Sequence, residues 1–519
     1  MIVQEIFLVV MFAALFLGIV SGVPVILAIA GAPMLVAFVA AQMGWFDLHL
    51  LNLFPARVWG VMSNTLLMAV PLFVLMGVFL ERSGLAERML RVLARLMGDS
   101  PKGMALSVLA FSTIIAASTG IIGATIVMLV LISLKPMMDA GIDKRQAAGL
   151  ITASGTLGQI VPPSIVLVLL GDQIGNSYLE AQQRAGNFSP QAVSVADLFA
   201  GALIPSLILV GLYAAWLLLR LRAPAGAGAP QAAPAARSSR VSPGELAFTF
   251  FPPILLILAV LGSILGGVAT ATEAAGLGAV GAMLMAAFAA TRGRAGRVLI
   301  GLAGISAFGL VALRVLGLGR AAIDTPAGMV ALLGAALILA GSLVAGYRLW
   351  RGGMLQQATV ETIKISGMVF GIVIAASMLS LVFRGFAGDR IVGELMELLP
   401  GGELGKVLLV MGIVFLLGFM LDAVEIIYIV VPLLGPVVLM GDISPVWFGV
   451  LLAMNLQTSF LTPPFGFALF YFRSVAPPSI SSLDIYRGAA PYVALQLVAL
   501  ALIIMFPALT TWLPARIFG

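Results

Sequence analysis

Asn455, Gln457, Thr458, Ser459 and Thr462 place five neutral oxygen-bearing side chains in an apolar segment that runs from about Pro445 to Phe472, just ahead of Pro463, Pro464 and Gly466. Two adjacent prolines remove two backbone donors and clash with the preceding turn, which predicts a break in the helix. Lipid cannot satisfy the carbonyls and amides so freed, and they need protein or a polar cavity around them. Exposed carbonyls and hydroxyls suit a small hard cation such as sodium, while helix N-termini turn amides and positive dipole ends toward an anion. The chemistry expected is cation-coupled handling of a carboxylate.

The first half holds a second copy, ITASGTLGQIVPPSIVLVL. A shift of 301 residues sets Pro162 and Pro163 under Pro463 and Pro464, and Ser154 under Asn455. With a shift one residue shorter, Pro136 falls on Pro436, Gly141 on Gly441 and Gly149 on Gly449. Matched broken segments in two halves are a mark of secondary-transporter binding sites. Candidate cation ligands are the carbonyls and hydroxyls around Ser118, Ser154, Gly155 and Thr156, and around Gly418, Asn455, Gln457, Thr458 and Thr462. Of these, Ser118, Ser154, Gly155, Gly418, Asn455 and Thr458 are the expected sodium set.

The elements that must position these residues are transmembrane. The 519 residues are 61% hydrophobic and 10% charged, with mean hydropathy +1.15, against about 25% charged in soluble domains. Cysteine is absent, which excludes disulfides and thiol chemistry, and the one histidine, His49, falls in a polar loop. The net charge of +6 reports topology rather than nucleic-acid binding. No HExxH zinc motif, Walker A loop or aspartate partner for Asp422 is present, so neither an enzyme nor an ATPase is expected.

Spans are expected near Ile6–Val20, Val25–Met43 and Val58–Leu80, followed by a basic amphipathic interfacial helix, Leu85–Asp99. Gly103–Leu134 carries no charge, is too long for one span and too short for two, and has basic residues at both ends. It reads as a re-entrant hairpin with Ser118, Thr119, Gly120 and Gly123 at its tip. A broken helix from Gln146 to Leu170, a polar loop to Asp197 and a span over Leu198–Leu219 follow. The second half repeats the plan, with spans near Leu246–Leu265, Ala274–Ala290 and Ile363–Phe383, an amphipathic segment from Asp389 and a hairpin over Val407–Met440. Its broken helix at Pro463 and a final span, Pro491–Trp512, complete the chain.

The fold class expected is an all-α polytopic membrane protein of two inverted repeats, residues 1–220 and 246–519. Each has five spans including a broken Pro-Pro helix, and a re-entrant hairpin. An Ala/Pro/Gly-rich cytoplasmic linker, 221–245, separates them, and two extra spans lie within 292–351. An odd span count inverts the second half, and most of the 28 Lys and Arg then fall on the cytoplasmic side, with both termini outside. Among charges in apolar segments, Asp422 is assigned to the ion or substrate pathway, Glu273 and Arg384 to interfaces, and Arg314 to snorkelling.

The segments ASGTLGQIVPPSIVLVLLGD and MNLQTSFLTPPFGFALFYFRSVAP, with ATATEAAGLGAV at 269–280, resemble the large membrane subunit of tripartite ATP-independent periplasmic (TRAP) transporters over nearly the whole chain. The resemblance implies an elevator mechanism and sodium as the coupling ion, with no other cofactor. It also implies a periplasmic substrate-binding protein, a small four-helix membrane subunit, and an organic acid substrate carried across a bacterial inner membrane. The wording NLQTSFLTPPFGFALFYFR most resembles the branch associated with mannitol, chloroaromatic acids and keto acids. By position, the family's sodium sites fall at Ser118–Gly120, Ser154–Gly158, Gly418 and Asn455–Thr462, beside Pro162, Pro163, Pro463 and Pro464. The chain has STG where an SGS-like tip is common in the family. Because it opens directly on the first repeat, the small subunit is expected as a separate chain. The competing reading is a stand-alone ion-coupled carboxylate exchanger that needs no binding protein.

Overall fold

Helix starts in this chain are marked by short polar side chains that accept from the first free amides. Ser194 with Asp197, Thr270 with Glu273 and Ser481 with Asp484 form reciprocal capping boxes, and Ser100, Ser242 and Ser444 cap singly. A computed structural model of the chain describes residues 2–97, 100–221, 241–315 and 325–519. All regular elements among them are helical, and ten helices are long and apolar enough to cross a membrane. Most of the expected linker, residues 222–240, and the connection 316–324 lie outside the described residues.

In the first half, α1 (Ile2–Val20) and α2 (Val25–Gln42) pack as a hairpin turned by Ser21, Gly22 and Pro24. The expected single span over Val58–Leu80 is instead two helices, α3 (Phe54–Ser63) and α4 (Ala69–Arg82). The backbone groups freed between them have partners: the Asn64 side chain accepts from the Leu66 amide at 2.9 Å, and Thr272 donates to the Thr65 carbonyl at 2.8 Å. α5 (Leu85–Met97) bends 59° from α4 and buries Ala86, Met89, Leu90, Val92 and Leu93.

The first hairpin is α6 (Pro101–Thr119) and α7 (Ile122–Leu129), the latter continued by a π turn into α8 (Lys135–Asp139). α9 (Lys144–Thr156) and a 3-10 turn over Leu157–Gln159 lead to the Pro162–Pro163 break, and α10 (Ile165–Arg184) follows. The chain expected as a polar loop after Leu170 is thus helical to Arg184, where an ion pair from Arg184 back to Glu180 at 2.6 Å supports the last turn. α11 (Val195–Arg220) closes this half.

The second half runs through α12 (Pro243–Leu265), α13 (Ala271–Ala290), the inserted pair α14 (Arg294–Val315) and α15 (Pro326–Arg351), then α16 (Met354–Gly385) and α17 (Gly388–Glu397). α18 (Gly402–Leu417) and α19 (Ala423–Val438) form the second hairpin, and α20 (Pro445–Leu461) and α21 (Phe467–Val475) flank the second break. The last expected span divides into α22 (Ser482–Met505) and α23 (Ala508–Phe518) at Pro507, which has no amide to continue the ladder.

α6–α11 and α18–α23 form a central body, flanked by α1–α5 and α12–α17. Lipid is as apolar as leucine, so helices here associate through close packing and polar contacts rather than through exclusion of water. Two crossings depend on glycine. A Cβ on Gly149 of α9 would overlap the Gly488 backbone of α22, and one on Gly201 of α11 would overlap Val446 of α20. Gly201 and Gly488 each stand four residues after a capping aspartate, Asp197 or Asp484.

Candidate functional site

The first hairpin turns where its sequence is smallest. Gly120 caps α6 in the left-handed region, φ 61°, a conformation glycine adopts without steric cost. Ser118 and Thr119 end α6, and their side chains lie outside the described part. A Cβ on Gly158 would stand 3.4 Å from the Ala116 carbonyl and 3.6 Å from the Gly120 Cα, and one on Gly120 3.2 Å from the Ile165 amide nitrogen. The tip therefore lies directly against the first broken helix. Ile126 of α7 rests on Gly155, where any side chain would overlap it.

Ser154, Gly155 and Thr156 form the last turn of α9, fully buried, and the Ser154 hydroxyl has no hydrogen-bond partner. Thr156 donates to the Ala153 carbonyl at 2.9 Å. Gln159 is 1% exposed with its Oε1 unpartnered, and Ser164 donates to the Gln159 carbonyl at 3.0 Å. The Pro162–Pro163 and Pro463–Pro464 peptides are both cis.

The second hairpin uses the same plan with different contacts. Gly418 follows α18 against Ser459 of α20, and Asn455 donates to the Met411 carbonyl at 2.7 Å. Thr458 donates to Met454 at 2.9 Å and Thr462 to Thr458 at 2.7 Å, which leaves their oxygen lone pairs available as acceptors or ligands. Gln457 is fully buried, with neither amide atom hydrogen-bonded. Asp422 caps α19, and its amide donates to Glu425 at 3.0 Å. Buried, uncompensated polar atoms in an apolar setting are costly, and Ser154, Gln159 and Gln457 bring such atoms into the two broken helices.

The halves join at three places beyond those named from the sequence. Tyr471 of α21 stands on Gly123, where a Cβ would meet its ring at 2.8 Å, and it lies within electrostatic reach of Asp422. Tyr471 thus seats the first hairpin on the segment that follows the second break. Gln496 of α22 donates to the Tyr213 hydroxyl at 2.8 Å and approaches Thr156 at 3.4 Å, while Tyr213 packs edge-on to Tyr492 at 5.0 Å. Reciprocally, α19 packs along α10, where Ser177 donates to the Val431 carbonyl at 3.2 Å. Gln496 carried a sequence signal, as an amide in the middle of an apolar span; Tyr471 and Tyr213 did not. The first break is buried, whereas Pro464 and Phe465 of the second are exposed, so the region is more open on one side.

The ion pairs fit the expected sidedness. Arg82 pairs with Glu361, Arg95 with Glu245, and Lys144 and Arg145 with Asp484, all at positions assigned inside; Arg184 and Arg384 pair with Glu180 and Asp389, all assigned outside.

The sequence matches the family described as tripartite ATP-independent periplasmic transporter, DctM component, over residues 8–308 and 300–509. Relatives include the C4-dicarboxylate TRAP transporter large permease protein DctM of Vibrio cholerae, 26% identical over 87% of this chain and 86% of that one. The 2,3-diketo-L-gulonate TRAP transporter large permease protein YiaN of Escherichia coli is 22% identical over 95% and 96%. The sialic acid TRAP transporter permease protein SiaT of Haemophilus influenzae is 23% identical over 93% of this chain and 67% of that one. The crystal structure of the Alcanivorax borkumensis YdaH transporter shares the fold, with a TM-score of 0.52 at 14% identity over 88% of this chain and 89% of that one. These relatives are named as transporter permeases, not enzymes. With two hairpins meeting two broken helices in an all-helical, multi-pass membrane protein, the chain belongs to the DctM-component family of tripartite ATP-independent periplasmic transporters.

Proposed function

We propose that this chain carries a small organic acid inward across the bacterial cytoplasmic membrane, coupled to sodium. The acid is handed over by a periplasmic binding protein, and a separate small membrane subunit completes the complex. The observation that carries the reading is that each hairpin tip packs on its own broken helix, Gly120 against Gly158 and Ile165, and Gly418 against Ser459, beside buried Ser154, Gln159 and Gln457 whose side-chain oxygens have no hydrogen-bond partner. Neutral oxygen donors without a carboxylate cage suit a monovalent hard cation. Ser118, Ser154, Gly155 and Gly158 would serve one ion, and Gly418, Asn455 and Thr458 a second. The α10 N-terminus, which points at the first tip, supplies amides to the substrate carboxylate. C4-dicarboxylate, diketogulonate and sialic acid, named for the relatives, share the carboxylate that this arrangement would recognise.

Residues 1–220 and 246–519 act as inverted repeats in this reading, and the central body moves against the flanking helices as an elevator. Matching crossings at Gly149 with Gly488 and at Gly201 with Val446 support the repeat relation. The test is uptake by proteoliposomes containing this chain and its small subunit, with radiolabelled organic acids and with sodium gradient and binding protein each present or absent. Uptake requiring both is expected. Uptake without the binding protein would instead establish the stand-alone exchanger.

A further inference from the structure

A cavity of about 280 Å³ opens between the flanking helices α3 and α16 and the central helices α10 and α19. At ~30 Å³ per water it has room for about nine waters, the size of a small organic acid. Its inner end lies at Asp172, roughly 10 Å along α10 from the tip contact at Ile165, at 1.5 Å per residue. It is therefore separate from the region between the tips.

We propose that this cavity is a second substrate subsite, binding the carboxylate of a small hydroxy or oxo acid between Arg57 and Arg384. The proposal rests on the reading of the chain as an organic-acid transporter and adds where, and by which groups, the acid is first held. Arg57 and Arg384 line the cavity together with Glu180, and the two arginines lie within electrostatic reach of each other at the end assigned to the outside. Arg57 has no ion pair or side-chain hydrogen bond among the described residues. Arg384 gives one nitrogen to Glu180 at 2.8 Å, while its Nε has no hydrogen-bond partner and stands 3.9 Å from Asp389. Two neighbouring guanidinium groups with donors to spare form a fork that matches a carboxylate.

The inner end has the complementary chemistry. Both Asp172 oxygens are taken up by amides, from Asn64 at 3.0 Å and Gln173 at 2.9 Å, so this carboxylate is already satisfied. Beside it the Tyr428 hydroxyl, on a side chain 4% exposed, makes no hydrogen bond of good geometry. It stands within reach of the Asp172 carboxylate and the Gln173 amide, and a hydroxyl or oxo oxygen on the ligand would compete with them for it. Val61, Val373 and Pro432 provide an apolar wall for the carbon chain between the two ends. The cavity also lies where the two groups of helices face each other, so an acid bound there touches both.

The absence of cysteine makes the test direct. Ser377 lines the cavity, and Ser377→Cys in the full chain with its small subunit, in nanodiscs, gives a single reactive thiol. Its rates with an anionic sulfonatoethyl and a cationic trimethylammonioethyl methanethiosulfonate are measured at low salt, each normalised to a free thiol. The anionic reagent is expected to react several-fold faster, because at the outer end Arg57, Arg184 and Arg384 exceed Glu180 and Asp389 by one positive charge. Millimolar 2-oxobutyrate should slow it and neutral 2-butanone should not. Adding Arg57→Gln should abolish the preference, while Arg57→Lys should keep it; an unchanged unfolding temperature in both checks the fold. Equal normalised rates, a preference that survives Arg57→Gln, or no protection by any of 2-oxobutyrate, lactate and acetate would each overturn the proposal. None of these readouts depends on uptake, so a failure of this subsite and a failure of the transport reading are told apart.

Discussion

Gly418→Ala tests the contact that seats the second hairpin on its broken helix. The residue is in an ordinary right-handed conformation, φ −64°, so alanine brings no backbone strain and the effect is one of packing alone. The new methyl carbon would lie 2.6 Å from the Ser459 Cβ and closer still to its Oγ. Rotating Ser459 away does not relieve this, because its Cβ is fixed to α20 and its hydroxyl is engaged by the Leu456 carbonyl at 2.9 Å. The hairpin and α20 must part by about 0.8 Å to restore ordinary contact. Overpacking of this kind costs about 1–3 kcal/mol. Parting these helices also lengthens the 2.7 Å bond from Asn455 to Met411 on the same hairpin arm. Uptake should fall by about tenfold or more, since small displacements of positioning groups cost on that order. Ser459→Gly should leave room for the methyl, and the double variant should recover most of the loss in both uptake and unfolding temperature. Wild-type stability and uptake in Gly418→Ala, or failure of Ser459→Gly to rescue it, would refute the placement of the hairpin.

Other parts of the molecule yield independent expectations. Gln496→Leu strands the buried Tyr213 hydroxyl and should lower stability by about 0.5–2 kcal/mol, read as unfolding temperature; Tyr213→Phe in the same chain should give a smaller further loss than it does alone. Asp484→Ala removes the capping box of α22 and the partner of Lys144 and Arg145, for a loss of about 1–2 kcal/mol with the partly exposed cations screened, and no loss in thermal unfolding would count against that anchor. Single cysteines at Ser189 and Ser238 should face opposite sides. An impermeant maleimide should label the first but not the second in intact spheroplasts, and equal labelling would contradict the topology.

What could be read from the chain alone was whatever local chemistry dictates. Doubled prolines break a helix wherever they occur, a charge-free stretch of hairpin length must turn back, and Gly120 was a turn candidate through its size. The structure has all three where the spacing put them. Two errors arose from reading polarity too simply, once as a loop signal and once as too weak to break a helix. Asp172 and Glu180 looked like the start of an outer loop, but they lie on α10, held by Asn64 and Arg384 from helices remote in sequence. The span over Val58–Leu80 looked continuous because Asn64 alone is a weak breaker; its break is satisfied by Thr272 on α13, which no local rule anticipates. The contact of Tyr471 with Gly123 and the choice of Tyr213 as the partner of Gln496 were invisible for the same reason. Each tyrosine is an ordinary residue in its own helix and acquires its role only when the second half packs on the first.

The central claim, that the broken helices hold the coupling ions, is tested most directly by the sodium dependence of initial uptake rates in proteoliposomes, comparing wild type with Ser154→Ala and Asn455→Ala. The account predicts a sigmoidal sodium response in the wild type, shifted to higher sodium in each variant while the substrate response at saturating sodium changes little. Uptake that is independent of sodium, or a sodium response identical in all three proteins, would contradict it.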